Sequence, residues 1–82
     1  MRERYLRCHV FKGMFTDELA VKISSNGSDA SFFVPRDFVR GDIDHEGRVK
    51  VRVYKDGQTS WAIVPDERQT AVAVNDADLL TI

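Results

Sequence analysis

The pair Asn26-Gly27 sits between two runs in which apolar and polar residues alternate, and this arrangement constrains the fold more than any other feature. Alternation with period two places successive side chains on opposite faces of a strand. Asn-Gly favours a two-residue type I′ turn, because both central positions need positive φ. Such a turn pairs Ile23 with Ala30, Val21 with Phe32 and Leu19 with Val34 on one face. It leaves Lys22–Ser31 and Ser24–Asp29 on the other. A one-residue slip would set Ile23 against Asp29 and mix the two faces, so the register is specified.

The same alternation recurs along the chain. Leu6, Cys8 and Val10 define a first strand ending near Gly13, and Arg48 to Tyr54 a fourth, with Val49, Val51 and Val53 on one face. Thr59 to Val64 and Thr70 to Val74 read as a fifth and a sixth. Pro35 and Pro65 end strands because they cannot donate to a central ladder. Arg36 to Val39 reads as a turn or short extended piece, and Gly41 to Gly47 as an acidic loop. Asn75-Asp76-Ala77-Asp78 offers capping side chains for one helical turn before Leu79, Leu80 and Ile82. The expected fold is all-β, a small antiparallel barrel or rolled sheet of about six strands and of SH3-like or OB-like size. Closure removes exposed edges. Residues 21–37 also align without gaps on 51–67, with Val21, Gly27, Val34 and Pro35 meeting Val51, Gly57, Val64 and Pro65, as a duplicated hairpin would. Two unrelated hairpins, each with a turn glycine and a strand-ending proline, would give much of the same pattern.

With 82 residues the chain is expected to form one domain, 1–82, with one modest core. No apolar run approaches the ~20 residues needed to span a bilayer. The N-terminus lacks the apolar core of a signal peptide, and a single Cys8 is unlike a small secreted scaffold, so a cytoplasmic protein without membrane attachment is expected. Net charge is -1, which argues against bulk attraction to polyanions. The charge is nonetheless uneven. Arg2, Arg4, Arg7 and Lys12 face only Glu3 near the start, while Asp66, Glu67, Asp76 and Asp78 face only Arg68 near the end. Adjacent first and last strands would pair these charges; solubilising charge at each end is the simpler reading.

The sequence gives little support for catalysis. Cys8 and His9 are neighbours on a strand and point to opposite faces, so they form no nucleophile–base pair. Cys8 keeps phase with Leu6 and Val10 as a small buried hydrophobe. No cofactor motif and no metal-ligand spacing of the zinc kind is present. Asp42-Ile43-Asp44-His45-Glu46-Gly47 opens like a calcium loop, but its twelfth position is Val53 instead of a bidentate Glu, so at most a weak calcium-binding loop is expected.

Two binding readings remain. A non-catalytic interaction module would meet a protein partner through a strand face or edge, at Phe33, which the first hairpin puts on the outer face, and at Phe38 after Pro35. A single-stranded nucleic-acid binder would use the alternate cations Arg48, Lys50 and Arg52, with Tyr54 or Trp61 stacking on bases. The position of Trp61 depends on the second turn. A two-residue Asp56-Gly57 turn puts Trp61 opposite Arg52 on the basic face; a three-residue Lys55-Asp56-Gly57 turn with a bulge puts it opposite Val51 in the core. The first keeps the analogy with the first hairpin. The second separates polar from apolar residues better and gives a small core a large side chain.

Overall fold

A computed structural model describes residues 1–81, and Ile82 lies outside the described residues. The chain is all-strand apart from two 3₁₀ turns, with 63% of it in strands, and its antiparallel sheet curls into a half-barrel of six strands. Strands β1 (Arg2–Lys12), β2 (Glu18–Ser25) and β3 (Ser28–Pro35) lead through a 3₁₀ turn at Arg36–Phe38 into β4 (Val39–Arg40). Strands β5 (Glu46–Asp56), β6 (Thr59–Ile63) and β7 (Ala71–Val74) lead through a second 3₁₀ turn at Asp76–Asp78 into β8 (Leu79–Leu80). The sheet path runs β3-β2-β1-β5-β6-β7, with β4 added to β5 and β8 to β1.

The first hairpin forms in the expected register. Ile23 lies opposite Ala30, Val21 opposite Phe32 and Leu19 opposite Val34. Asn26 (φ 52°) and Gly27 (φ 78°) both take the positive φ that the turn requires. Val21, Ile23, Leu19 and Val34 are buried, and Phe32 packs against their cluster.

The second hairpin differs from both registers weighed above. Its turn is Gly57-Gln58, with Asp56 opposite Thr59, Tyr54 opposite Trp61 and Arg52 opposite Ile63. Gly57 has φ 65°, whereas Gln58 is not among the positive-φ residues, the pattern of a type II′ turn with glycine first. Moving the turn by one residue shifts every partner by two and preserves which side chains share a face. Ala62 and Val64 therefore enter the core, and Trp61 does not. The outer position overturns the core placement: the volume offered to β6 by the curled sheet is filled by small side chains, Ser60, Ala62 and Val64.

In this register the two aligned hairpins are not structurally equivalent. The aligned segments 21–37 and 51–67 turn at different points, Asn26-Gly27 against Gly57-Gln58, and occupy different places in the sheet. A different repetition exists. Each half consists of one long strand, two further strands, a 3₁₀ turn and a two-residue strand. Each two-residue strand joins the other half, β4 pairing Val39 with Val49 and Arg40 with Arg48, β8 pairing Leu79 with Leu6 and Leu80 with Tyr5. Leu6 and Val49 are themselves partners, so an approximate twofold axis passes through that pair. The two 3₁₀ turns match at their ends, where Val39 N–H donates to the Arg36 carbonyl and Leu79 N–H to the Asp76 carbonyl.

First and last strands are thus adjacent, but among the described residues their opposite charges do not meet as ion pairs across the seam. Asp78 accepts the Ser25 hydroxyl at 2.6 Å and Asp76 the Ser60 hydroxyl at 2.5 Å. Both serines are buried, and these bonds tie the second 3₁₀ turn to β2 and β6. Leu6→Ala and Val21→Ala should each lower the free energy of unfolding, by about 2–5 kcal/mol for Leu6 and near the bottom of that range for Val21, because both are fully buried. Lys22→Ala, on the outer face of the same hairpin, should change it by less than about 0.5 kcal/mol. Chemical denaturation of the three variants checks the assignment of faces.

Candidate binding surfaces

The outer face of the sheet divides into a basic half and an apolar half. On the basic half, Arg7 pairs with Arg48 and Arg48 with Arg40, so three arginines stand in one lateral row across β1, β5 and β4. Like charges directly opposite each other destabilise a sheet. Each arginine here has a compensating neighbour. Arg7 lies 3.7 Å from the Glu46 carboxylate, and Arg40 Nη1 donates to the carbonyls of Asp37 and Val39, each at 3.3 Å. The Arg48 guanidinium lies 5.4 Å from the centroid of the Tyr5 ring, an attractive cation–π placement. Farther along the same face, Lys50 approaches Glu3 at 3.8 Å and Arg52 Nη2 donates to Gln69 Oε1 at 2.7 Å. Beyond Arg52 stand Tyr54 and Trp61, cross-strand partners on the outer face, with Ala73 of β7 next in the row. The five residues expected to serve nucleic acid therefore share one face.

The apolar half lies at the other edge. Phe11, Ala20 and Phe33 form a lateral row across β1, β2 and β3. Phe33 is 48% exposed and Phe11 38%, and Met14 (74%) and Phe15 (68%) stand open in the loop after β1. Phe33 takes the outer position expected of it. Phe38 is placed differently: it borders a notch of about 380 Å³ with Lys50, Val51, Arg52 and Ile63, on the β5 side where β4 stops and β6 has not begun. The 3₁₀ turn carries the chain from β3 round to β5 and takes Phe38 with it.

The acidic loop has a structural role. Asp44 N–H donates to the Val10 carbonyl at 2.7 Å and Val10 N–H to the His45 carbonyl at 2.9 Å, fastening the loop to β1. Glu46 and Gly47 belong to β5, paired with His9 and Cys8, so the acidic stretch is shorter as a loop than its sequence implies. Among the described residues no group of three or more His, Cys, Asp or Glu side chains is gathered as a metal site.

Cys8 is buried, as its phase requires, and burial, with the nearby Glu46 charge, pushes its thiol up to about 12. His9 lies on the outer face with its ring 4.8 Å from that of Phe11. Among the described residues no helix is long and apolar enough to cross a membrane.

No known protein family, curated protein or solved structure matches this chain in comparison.

The surface that the sequence did not reveal lies at one end of the half-barrel, where Arg2 and Arg4 share the inward side of β1 with Leu6, Cys8 and Val10. The signal was present: both arginines keep the phase of the core residues.

A thiolate is the reactive form of cysteine, so native Cys8 should resist thiol reagents at neutral pH and react only on unfolding. The same protonation sets a pH dependence. The unfolded thiol ionises near 9, while the native one keeps its proton to about 12. The unfolded state thus loses its proton first as pH rises, and the resulting stability, full below pH 9, falls between 9 and 12. Denaturation midpoints of the native protein and Cys8→Ala, compared at pH 7 and 10, should show the native protein losing more.

Proposed function

We propose that the domain is a non-catalytic interaction module that captures an extended segment of a protein partner along β3. One observation carries this reading: β3 ends the sheet path with its outer edge unpaired among the described residues, over eight residues, beside exposed Phe33. Natural edge strands are usually short, bulged or guarded by lysine, because free N–H and C=O groups recruit other strands. The segment Ser28–Pro35 has no lysine or arginine, and its one charge is Asp29. A strand added there would bond main chain to main chain and lay alternate side chains against the Phe11–Phe33 row. The high thiol pKa of Cys8 and the opposite directions of Cys8 and His9 support a module without nucleophilic catalysis. A single reduced, buried Cys8 supports a cytoplasmic setting.

Selection from a random peptide library against the domain tests the reading. Enriched peptides should alternate apolar and polar residues and lose binding to Phe33→Lys, whose fold should be unaffected at so exposed a site. Enriched peptides that bind Phe33→Lys as well as the native protein would place the partner elsewhere.

A second reading, single-stranded nucleic acid on the basic half, is favoured by the outer position of Trp61 opposite Tyr54. Stacking aromatics beside a track of cations is the usual way sheet surfaces hold single strands. If it holds, replacing Arg48, Lys50 and Arg52 by Gln should weaken oligonucleotide binding. It should also flatten the slope of log affinity against log salt by up to ~3 × 0.7. Bound bases should quench Trp61 emission. No binding at ~50 mM salt, where charge attraction is least screened, would remove the reading.

A further inference from the structure

A cavity of about 640 Å³ opens at one end of the half-barrel, and its walls are unlike the rest of the interior. Val53 and Leu79 line part of it, and at the rim stand Arg2, Arg4 and Lys55 with one carboxylate among the described residues, Asp76. Arg2 and Arg4 sit two residues apart on one side of β1, roughly 7 Å along the strand. Arg4 is half-buried, with Val51 as its cross-strand partner, and Arg2, opposite Val53, is exposed at the mouth. Asp76 is already engaged: it accepts the Ser60 hydroxyl and lies 3.6 Å from Lys55 Nζ. The Ser60 hydrogen bond first, then the Lys55 charge and, more weakly, the Arg4 charge hold its carboxyl below the usual range, so it is ionised at neutral pH and offsets Lys55 and, in part, Arg4. Neither Arg2 nor Arg4 has an ion-pair or side-chain hydrogen-bond partner among the described residues.

The approximate twofold axis shows that an open end is not a requirement of the fold. The pairing Arg4–Val51 is related by it to Gly47–Cys8. At that other end the loop from Gly41 to His45 folds over β1, and a Cβ on Gly47 would lie 2.4 Å from the Arg40 carbonyl oxygen and 2.9 Å from Val10 Cγ2. One end is closed by main chain with no room for a side chain. The other has an arginine in the related position and stays open.

We infer that this open end is a binding site for a small organic phosphate monoester, its phosphate held by Arg2 and Arg4 and its apolar body resting on Val53 and Leu79. Guanidinium forks bond tetrahedral oxyanions through paired N–H groups. The cavity volume lies within the range of sites for small molecules, roughly 300–1,000 Å³. The site is separate from β3 and from the outer arginine row, since Arg2 and Arg4 face inward and Arg7 and Arg48 outward.

Phenyl phosphate and inorganic phosphate, titrated at low salt into isotope-labelled protein and followed by amide NMR, test the inference. Phenyl phosphate should shift Arg2, Arg4, Lys55 and Ser60 saturably and bind more tightly than inorganic phosphate, which lacks the apolar body. Arg4→Gln should weaken phenyl phosphate about tenfold or more, as expected for losing a charge-assisted bond. Asp76→Asn removes the carboxylate charge at the rim and should tighten binding several-fold; it also preserves the test if Arg4→Gln fails to fold. Non-saturating shifts, shifts centred on Arg7, Arg40 and Arg48, or affinities unchanged in both variants would overturn the assignment.

Discussion

Everything else in the molecule is hung on the pairing of β1 with β5. These are the two longest strands, and they pair from Arg2–Val53 to His9–Glu46. Leu6 and Val49, at the middle of the ladder, are fully buried. The free edge of each strand is then shared by two others. Toward the C-terminal half of β1 that edge holds β2, and near Tyr5 and Leu6 it holds β8; on β5 it holds β4 near Val49 and β6 from Arg52. A flat sheet could not bring β8 back to β1 from the far side of β7, so the reciprocal exchange of two-residue strands enforces the curl. The strand twist common to all sheets supplies its direction.

This organisation explains what could be read from the chain before its structure. The β2–β3 hairpin is local and its turn residues are specific, so Asn26-Gly27 and the alternation of Leu19, Val21 and Ile23 determined its register. The β5–β6 turn was ambiguous because the residues allow a tight Asp56-Gly57 turn or a bulged Lys55-Asp56-Gly57 turn, and the turn formed is a third one, Gly57-Gln58, with the same glycine at its first central position. The long-range demand that Ala62 and Val64 meet the core excludes the bulged turn, which would bury Trp61, and is met equally by either tight turn. Trp61 followed that choice outward, and size alone was a poor guide, because a six-strand half-barrel offers β6 space for Ala and Val. The exchange of β4 and β8 could not be read at all. Each is two residues long and carries no period of its own.

The candidate surfaces were legible in proportion to how local they are. Phe33 and the cations of β5 follow from strand phase alone, and both occupy the outer face. Phe38 does not, because the 3₁₀ turn that carries it ends in a pairing with β5, a partner that begins six residues after β4. The arginines of the open end were counted as terminal charge, though their phase with Leu6 put them on the inward side of β1, Arg4 half-buried and Arg2 at the exposed mouth. A charged residue on the inward phase of a strand has two explanations, a strand that has run past its core or a polar site, and sequence alone does not distinguish them.

The twofold plan gives those explanations different weights at the two ends. Were the inward arginines only the overrun of a strand, the related end should show the same loose finish. There, however, β5 begins with Glu46-Gly47 under a loop bonded to Val10 on both its N–H and its carbonyl, and the close approach admits glycine alone. The chain has the means to seal such an end and uses them once. At the open end the second 3₁₀ turn instead spends its carboxylates on Ser25 and Ser60, buried hydroxyls that would otherwise need partners. That leaves Arg2 and Arg4 without an ion pair among the described residues, with only the more distant charge of Asp76 near Arg4, beside an apolar floor; such an arrangement favours an anion from solution.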